Sequence, residues 1–239
     1  MAQTKPDYGL DIPTVVNDHF SRGGWAAFLA IGVWFMNRAE YPDVSLRILL
    51  VLGAIGIVFL ALGAYMVWSS RTAKLALRDE ILEGLALRGD EKVLDVGCGL
   101  GLLAIGAAKR LKSGRVTGID IWDQSLLSGN SMDAAKENAK LEGVGDKVKF
   151  DAGDASKLPY PDASFDVVTS SSALHHIGST DRRSQAVREM LRVLKPGGRL
   201  VIFDTLRTDE YAALVPNAEL GAPRWLWCLP SRMLTAKRS

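Results

Sequence analysis

The stretch Val93-Leu94-Asp95-Val96-Gly97-Cys98-Gly99-Leu100-Gly101 reads as a buried strand that ends in a glycine-rich turn and restarts as a helix. In α/β proteins this junction binds nucleotide-like cofactors, because ligands sit at the carboxyl ends of the strands and against helix N-termini. The apolar residues before the turn suit a strand covered on both faces, and the glycines let the main chain approach a ligand that a Cβ would hold off. Gly99-Leu100-Gly101-Leu102-Leu103-Ala104 also fits the relaxed dinucleotide pattern G-x-G-x-x-A, which is weak evidence alone. A second strand, Arg115 to Ile121, places Asp120 about 20 residues past the glycines, where a carboxylate can accept both hydroxyls of a ribose. An adenosine-containing cofactor follows, without saying which.

Downstream the pattern alternates. Helices are predicted at Thr72 to Leu87, Leu102 to Leu111, Ser131 to Leu141 and Arg182 to Leu194. Strands are predicted at Lys92 to Val96, Arg115 to Ile121, Lys147 to Asp151, Phe165 to Ser170 and Arg199 to Asp204. Such alternation implies a Rossmann-like, doubly wound α/β fold with a mostly parallel sheet and helices on both faces. The C-terminal region is compressed, with a brief helix from Glu210 to Leu214 and a last strand at Met233 to Lys237. Trp225-Leu226-Trp227 reads as hydrophobic packing or as a contact with the substrate mouth or a membrane surface.

Asp95 to Gly101 resembles motif I of the class I S-adenosylmethionine-dependent methyltransferases. Four further blocks agree in order and spacing: Thr117-Gly118-Ile119-Asp120; Asp151 to Ala155 with Leu158-Pro159; Phe165-Asp166-Val167-Val168; and Leu194 to Leu200 around Lys195-Pro196-Gly197-Gly198. The resemblance covers roughly residues 75 to 205 and implies a seven-stranded sheet and S-adenosylmethionine as cofactor. It is similar to the methyltransferase type 11 and quinone C-methylase group, although the Arg-Asn pair that quinone C-methylases tend to carry after the fourth strand is absent.

The resemblance implies that Gly97, Cys98, Gly99 and Gly101 pass under the methionine moiety and that Asp95 helps hold its ammonium end. Asp120 takes the ribose hydroxyls, while Asp154 with Ala155 meets the adenine edge, with Asp151 near enough to substitute. Ile121 and Trp122 pack on adenine or in the core. Ser170, Ser171 and Ser172 line the pocket or end their strand. His175 and His176 follow the fourth strand at the ligand-bearing end and are the candidates for a base or a substrate-orienting group, or else cap a loop. The segment Trp122 to Ser131, containing Ser128-Gly129-Asn130-Ser131, lies beside the ribose site and reads either as a loop ending in Ser131 as a helix N-cap or as a substrate contact.

The chain is apolar for an ordinary domain of its size, with 48% hydrophobic residues. The surplus is local. Ile48 to Trp68 carries no charge over 21 residues, which spans a bilayer core as helix. Gly24 to Met36 is uncharged over 13 residues, short of a full span, and fits a tilted, re-entrant or interfacial helix as well as a crossing. The eleven residues between them hold Pro42 and four charges and suit the turn of a hairpin. The expected layout is an N-terminal tail (1–22), a transmembrane helical hairpin (23–71) and a methyltransferase domain (72–239). A signal peptide fits badly, because Asp7, Asp11 and Asp18 precede the first run and no A-x-A site follows it. Arg71, Lys74 and Arg78 after the long run place the domain on the cytoplasmic side of an integral membrane protein.

The net charge of +2, without basic runs interleaved with aromatics, lacks the footprint of a nucleic-acid binder. Asn/Asp-Pro-Pro-Tyr, which clamps a flipped base in base-amino methyltransferases, is replaced by Ser170-Ser171-Ser172. Two cysteines form neither a disulfide framework nor a metal site. The function expected is methyl transfer to a small, apolar or membrane-associated acceptor. A cofactor-binding scaffold without turnover and a nicotinamide oxidoreductase are the alternatives. The oligomeric state is left open.

Overall fold

The computed structural model describes residues 4–226 and 229–239, so that Trp227 and Cys228 lie outside the described residues. Two helices come first, α1 (Pro13–Asn37) and α2 (Pro42–Trp68), joined by a short turn. They pack against each other as an antiparallel hairpin through small residues. A Cβ on Gly56 would lie 3.2 Å from the Gly23 carbonyl oxygen, and one on Gly23 would lie 2.7 Å from Leu60. Such close backbone approach is what glycine at a helix crossing allows.

Two expectations change here. Helix α1 starts well before the apolar run, inside the segment expected as a tail, and its polar first half (Asn17, Asp18, His19, Arg22) shortens its apolar length. Among the described residues one helix is long and apolar enough to cross a membrane, and it runs unbroken from Pro42 to Gly84. A two-span hairpin is therefore not what the structure displays. The helix also does not stop between residues 68 and 72: a π-helical turn, Ser69–Ala73, carries α2 directly into α3 (Lys74–Gly84). No proline or glycine interrupts that junction, so nothing in the chain breaks the helix there.

The domain follows as β1 (Lys92–Val96), α4 (Leu102–Arg110), β2 (Arg115–Asp120), α5 (Met132–Leu141), β3 (Val148–Ala152), β4 (Phe165–Ser171), α6 (Thr180–Val193), β5 (Leu194–Thr205), α7 (Thr208–Ala212), β6 (Glu219–Leu220), β7 (Arg224–Leu226) and β8 (Leu229–Lys237). The sheet order is β3-β2-β1-β4-β5-β8-β6, with β7 paired to β8 beside this path. Strands β1 to β5 are parallel and β8 runs antiparallel to β5, making the sheet mixed. The seven-strand path expected from the resemblance is present, and the short hairpin strand β7 is an eighth. The final strand starts at Leu229, four residues earlier than its sequence pattern suggests, because Pro230 stands near its beginning, where a missing N–H is tolerated.

Alternation along the central strands builds two cores. Val93, Val116 and Val167 face α3, α4 and α5, whereas Leu94, Ile119 and Val168 face α6 and α7. Because all six are buried at 1% exposure or less, a one-residue slip in register would exchange the two cores. This fixes the carboxyl ends of β1, β2, β4 and β5 at one level, where the ligand-bearing loops emerge.

Candidate functional site

The loop after β1 is forced into its shape by three residues in the left-handed region: Gly97 (φ 71), Gly99 (φ 50) and Gly101 (φ 84). At Gly97 there is also no room, since a Cβ there would lie 2.2 Å from the Ala173 Cβ. Gly97→Ala is expected to cost about 2–4 kcal/mol, from strained φ together with overpacking. Thermal denaturation and cofactor titration check it, and a variant with unchanged melting temperature and affinity would contradict this account of the loop.

Asp95, at the end of β1, is buried at 2% exposure. Thr169 Oγ1 donates to one of its carboxylate oxygens at 3.0 Å and the Ala104 N–H donates to the other at 3.1 Å. Burial outweighs these two bonds and, with the neighbouring Asp120 charge, raises its pKa to about 7. Asp120 ends β2 and accepts from the Gly99 N–H (2.8 Å), the Trp122 N–H (2.7 Å) and Asn130 Nδ2 (3.2 Å). The acid thus ties the glycine loop to the loop beyond β2. Cys98 is buried, and burial pushes its thiol well up, away from the reactive thiolate.

A cavity of about 380 Å³ lies against these residues. It is lined by Asp95, Gly97, Cys98, Gly99, Asp120, Ile121, Asp154, Ala155, His175 and His176, which brings most of the sequence-derived candidates together. Gly101 instead sets the start of α4 from behind the loop. Ser170 is buried away from the cavity while Ser171 lines it, since neighbouring strand residues face opposite sides, and Ser172, past the end of β4 with φ 55, lines it as well. Trp122 belongs to the core, packed edge-on to Phe150 at 6.4 Å, and Ile121 takes the cavity side. Asp154 lines the cavity. Burial works against its ionised form, but hydrogen bonds from Ser156 and Arg182 prevail and hold its pKa below the usual carboxylate value. Asp151, the alternative, is engaged by Tyr160 and Lys149 outside the cavity lining. Ser131 caps α5 through the Ala134 N–H, as expected.

His175 and His176 form a short 3₁₀ turn after β4, with ring centroids 3.9 Å apart. His175 Nδ1 bonds Asp204 Oδ1, and its backbone N–H donates to Asp204 Oδ2 at 3.0 Å. The fully buried Asp204, near the end of β5, also accepts from the Tyr211 hydroxyl and the Thr205 N–H. With Asp204 as a carboxylate all four contacts are accepted bonds, so in the neutral tautomer that fits them His175 carries its proton on Nδ1 and has Nε2 as an acceptor. His176 differs: burial and the adjacent His175 lower its pKa to about 4, so it is neutral at pH 7.

Sequence reasoning missed Asp204, Asn130 and the N-terminal segment. Asp204 had one signal, an acid closing a strand at the ligand-bearing end, as Asp120 does. Asn130 gave none. Tyr8, Asp11 and Ile12 line the cavity from outside the domain, which no local pattern announces.

The described residues fit a nucleoside cofactor with a charged amino-acid end. The glycine cradle is one that a Cβ at position 97 would spoil, and two buried oxygens of cavity-lining residues, Asn130 Oδ1 and Ser172 Oγ, find no partner among the described residues. Residues 94–202 match the methyltransferase domain family. The chain is 39% identical over 157 residues to the 27-O-demethylrifamycin SV methyltransferase of Amycolatopsis mediterranei, covering 64% of this chain and 54% of that protein. It is 34% identical over 143 residues to the ubiquinone/menaquinone biosynthesis C-methyltransferase UbiE of Azotobacter vinelandii, covering 59% and 49%. It therefore spans about half the length of these curated relatives.

The crystal structure of the [4+2]-cyclase SpnF superposes with a TM-score of 0.57 at 22% identity, covering 70% of this chain and 82% of that one, and bears on the fold alone. Fold and site define a class I α/β cofactor-binding domain. Over residues 94–202 the chain is similar to methyltransferase domains of the S-adenosylmethionine-dependent class, and S-adenosylmethionine is its cofactor.

Proposed function

We propose that this chain is a membrane-anchored methyltransferase that moves the methyl group of S-adenosylmethionine directly to a small apolar or membrane-associated acceptor. The observation that carries the reading is the His175–Asp204 pair beside the glycine cradle. S-adenosylmethionine supplies a methyl group already activated on sulfonium, so displacement needs an aligned nucleophile and no covalent enzyme intermediate. Asp95, the glycine loop, Asp120 and Asp154 bind and orient. His175 Nε2 takes the proton that the acceptor oxygen or acidic carbon loses as its bond to the methyl forms, and Asp204 stabilises the imidazolium. Relatives named for quinone biosynthesis and for 27-O-demethylrifamycin SV support an acceptor of this apolar kind.

The anchoring half of the proposal draws on α2, whose surface is apolar and exposed, with Ile57 at 68% and Val51 at 59%. Tyr65 and Trp68 stand at its end, with ring centroids 5.8 Å apart, as amphipathic rings do at a headgroup zone. The basic residues beyond it favour a cytoplasmic domain.

Asp95 gives a pH test. Its folded pKa of about 7 lies above the ordinary aspartate value, so the apoprotein holds an extra proton below neutrality. A bound ammonium group favours the ionised form, so binding releases that proton. Affinity for S-adenosylmethionine is expected to rise as pH increases through about 6 to 8 and then level off. Isothermal titration in two buffers of different ionisation heat checks it; pH-independent affinity without proton release would remove Asp95 from the ammonium site.

The whole reading is tested with the full-length protein in phospholipid nanodiscs, methyl-labelled cofactor and a membrane extract. Labelled product in the organic phase is the expected result. Cofactor binding with no labelled product from lipid, thiol or amine pools would make the chain a scaffold.

A further inference from the structure

Residues 7–12 precede the helical hairpin in sequence yet lie on the methyltransferase domain. Ile12 N–H donates to Leu126 O at 2.9 Å, Ser128 N–H to Leu10 O at 3.0 Å, and Leu10 N–H to Ser128 Oγ at 2.7 Å. This is a short antiparallel pairing, Asp11 against Leu127, on the loop that Asp120 and Asn130 also hold. Asn138 clamps Asp7 with bonds of 3.0 and 2.7 Å and reaches the glycine loop at Leu100 O, 3.1 Å away.

The strongest fastening is Lys74. It is 7% exposed, sits at the start of α3, and gives its ammonium to Tyr8 O (2.7 Å) and Gly9 O (2.8 Å), with Asp11 at 3.4 Å. A lysine is rarely buried without a purpose that repays its desolvation, and this one spends its donors on strap carbonyls. Gly9 is equally committed. At φ +72 a Cβ would lie 2.7 Å from Ser128 O and 2.9 Å from Leu100. Tyr8, Asp11, Ile12 and Lys74 all line the cavity. Pro13 follows at once, so the helical hairpin begins where the strap ends.

We propose that residues 7–12 are a wall of the cofactor site, latched by Lys74 as a positioning residue, so that S-adenosylmethionine is held by the N-terminal module and the methyltransferase domain together. The inference rests on the cofactor reading above. The hairpin is then part of the binding unit, and cofactor exchange requires the strap to lift, as lids commonly gate release.

The test uses the full-length protein in nanodiscs, measuring the dissociation constant and release rate of S-adenosylmethionine. Lys74→Met and, independently, Gly9→Val are expected to weaken binding about tenfold, mainly through faster release. Lys74→Arg, which keeps the donors, should recover most of the loss. Circular dichroism melts of the apoproteins separate strap release from unfolding. Cofactor should also slow proteolysis within residues 7–12 of the wild type. If the wild type binds and both folded variants bind and release at its rate, the strap is not a wall and the proposal falls. If the wild type itself does not bind, the cofactor reading fails first.

Discussion

Asp204→Asn is expected to lower methyl transfer by roughly 10²–10⁴-fold while leaving S-adenosylmethionine affinity within about threefold of wild type. The geometry separates the two effects. Asp204 is buried at the end of β5, bonded to His175 on both ring and backbone, and is absent from the cavity lining. An asparagine keeps the shape but can present its NH₂ to His175 Nδ1. The ring proton then moves to Nε2, and the nitrogen that should accept becomes a donor. His175→Ala should lose a similar factor by removing the proposed base outright. His176→Ala should lose much less, since among the described residues no carboxylate hydrogen-bonds that ring to fix its tautomer. Single-turnover rates with labelled cofactor, measured across pH, check the assignment. Wild-type turnover by Asp204→Asn would assign His175 a structural role, as would a loss confined to cofactor affinity.

The second large effect is on binding. Asp120→Ala should weaken S-adenosylmethionine binding by about 10²–10³-fold, or about 3–4 kcal/mol. Asp120 is not a free carboxylate waiting for a ribose, because it already accepts from Gly99, Trp122 and Asn130. Alanine removes the carboxylate proposed to take the ribose hydroxyls and leaves those donors without their acceptor. The glycine loop and the loop beyond β2 lose their common anchor, so Asp120→Asn should be intermediate. Titration calorimetry with the cofactor decides, and an Asp120→Ala protein binding within about threefold of wild type would remove the ribose assignment.

How much of this was legible differs by element. The glycine loop could be read directly, since three glycines within five residues have few uses other than positive φ and close approach, and all three adopt it here. Asp120 was legible from its distance to that loop. Strands β1 to β4 could be read because β-branched and apolar residues in each are bounded by turn signals, whereas β5 was read only from Arg199 although it starts at Leu194, before the Lys195-Pro196-Gly197-Gly198 turn. Beyond β5 the pattern weakened: two of the remaining strands, β6 and β7, have two and three residues, too few for alternation to register. The contrast between Ser170 and Ser171 could not be foreseen, because the facing of a side chain depends on where a strand ends.

The N-terminal helices show the same limit. The apolar run in α2 announced a span-length helix, but its continuation into α3 without a break is a matter of hydrogen bonding through Ser69–Ala73. For α1 the apolar run suggested a partner span, whereas its polar first half leads back to the cofactor loop.

By itself the sequence determined the order of elements from β1 to β5, the cofactor class and the chemical identity of the residues at those strand ends, because these follow from local spacing and φ preferences. Only tertiary structure decided that Asp204 meets His175 across 29 residues, and that Lys74 binds the carbonyls of Tyr8 and Gly9 across more than twice that separation. A hydrogen bond reports the distance between atoms, and distance along a chain fixes that only within a turn or two. Across the sheet and the hairpin, packing of the two cores sets it.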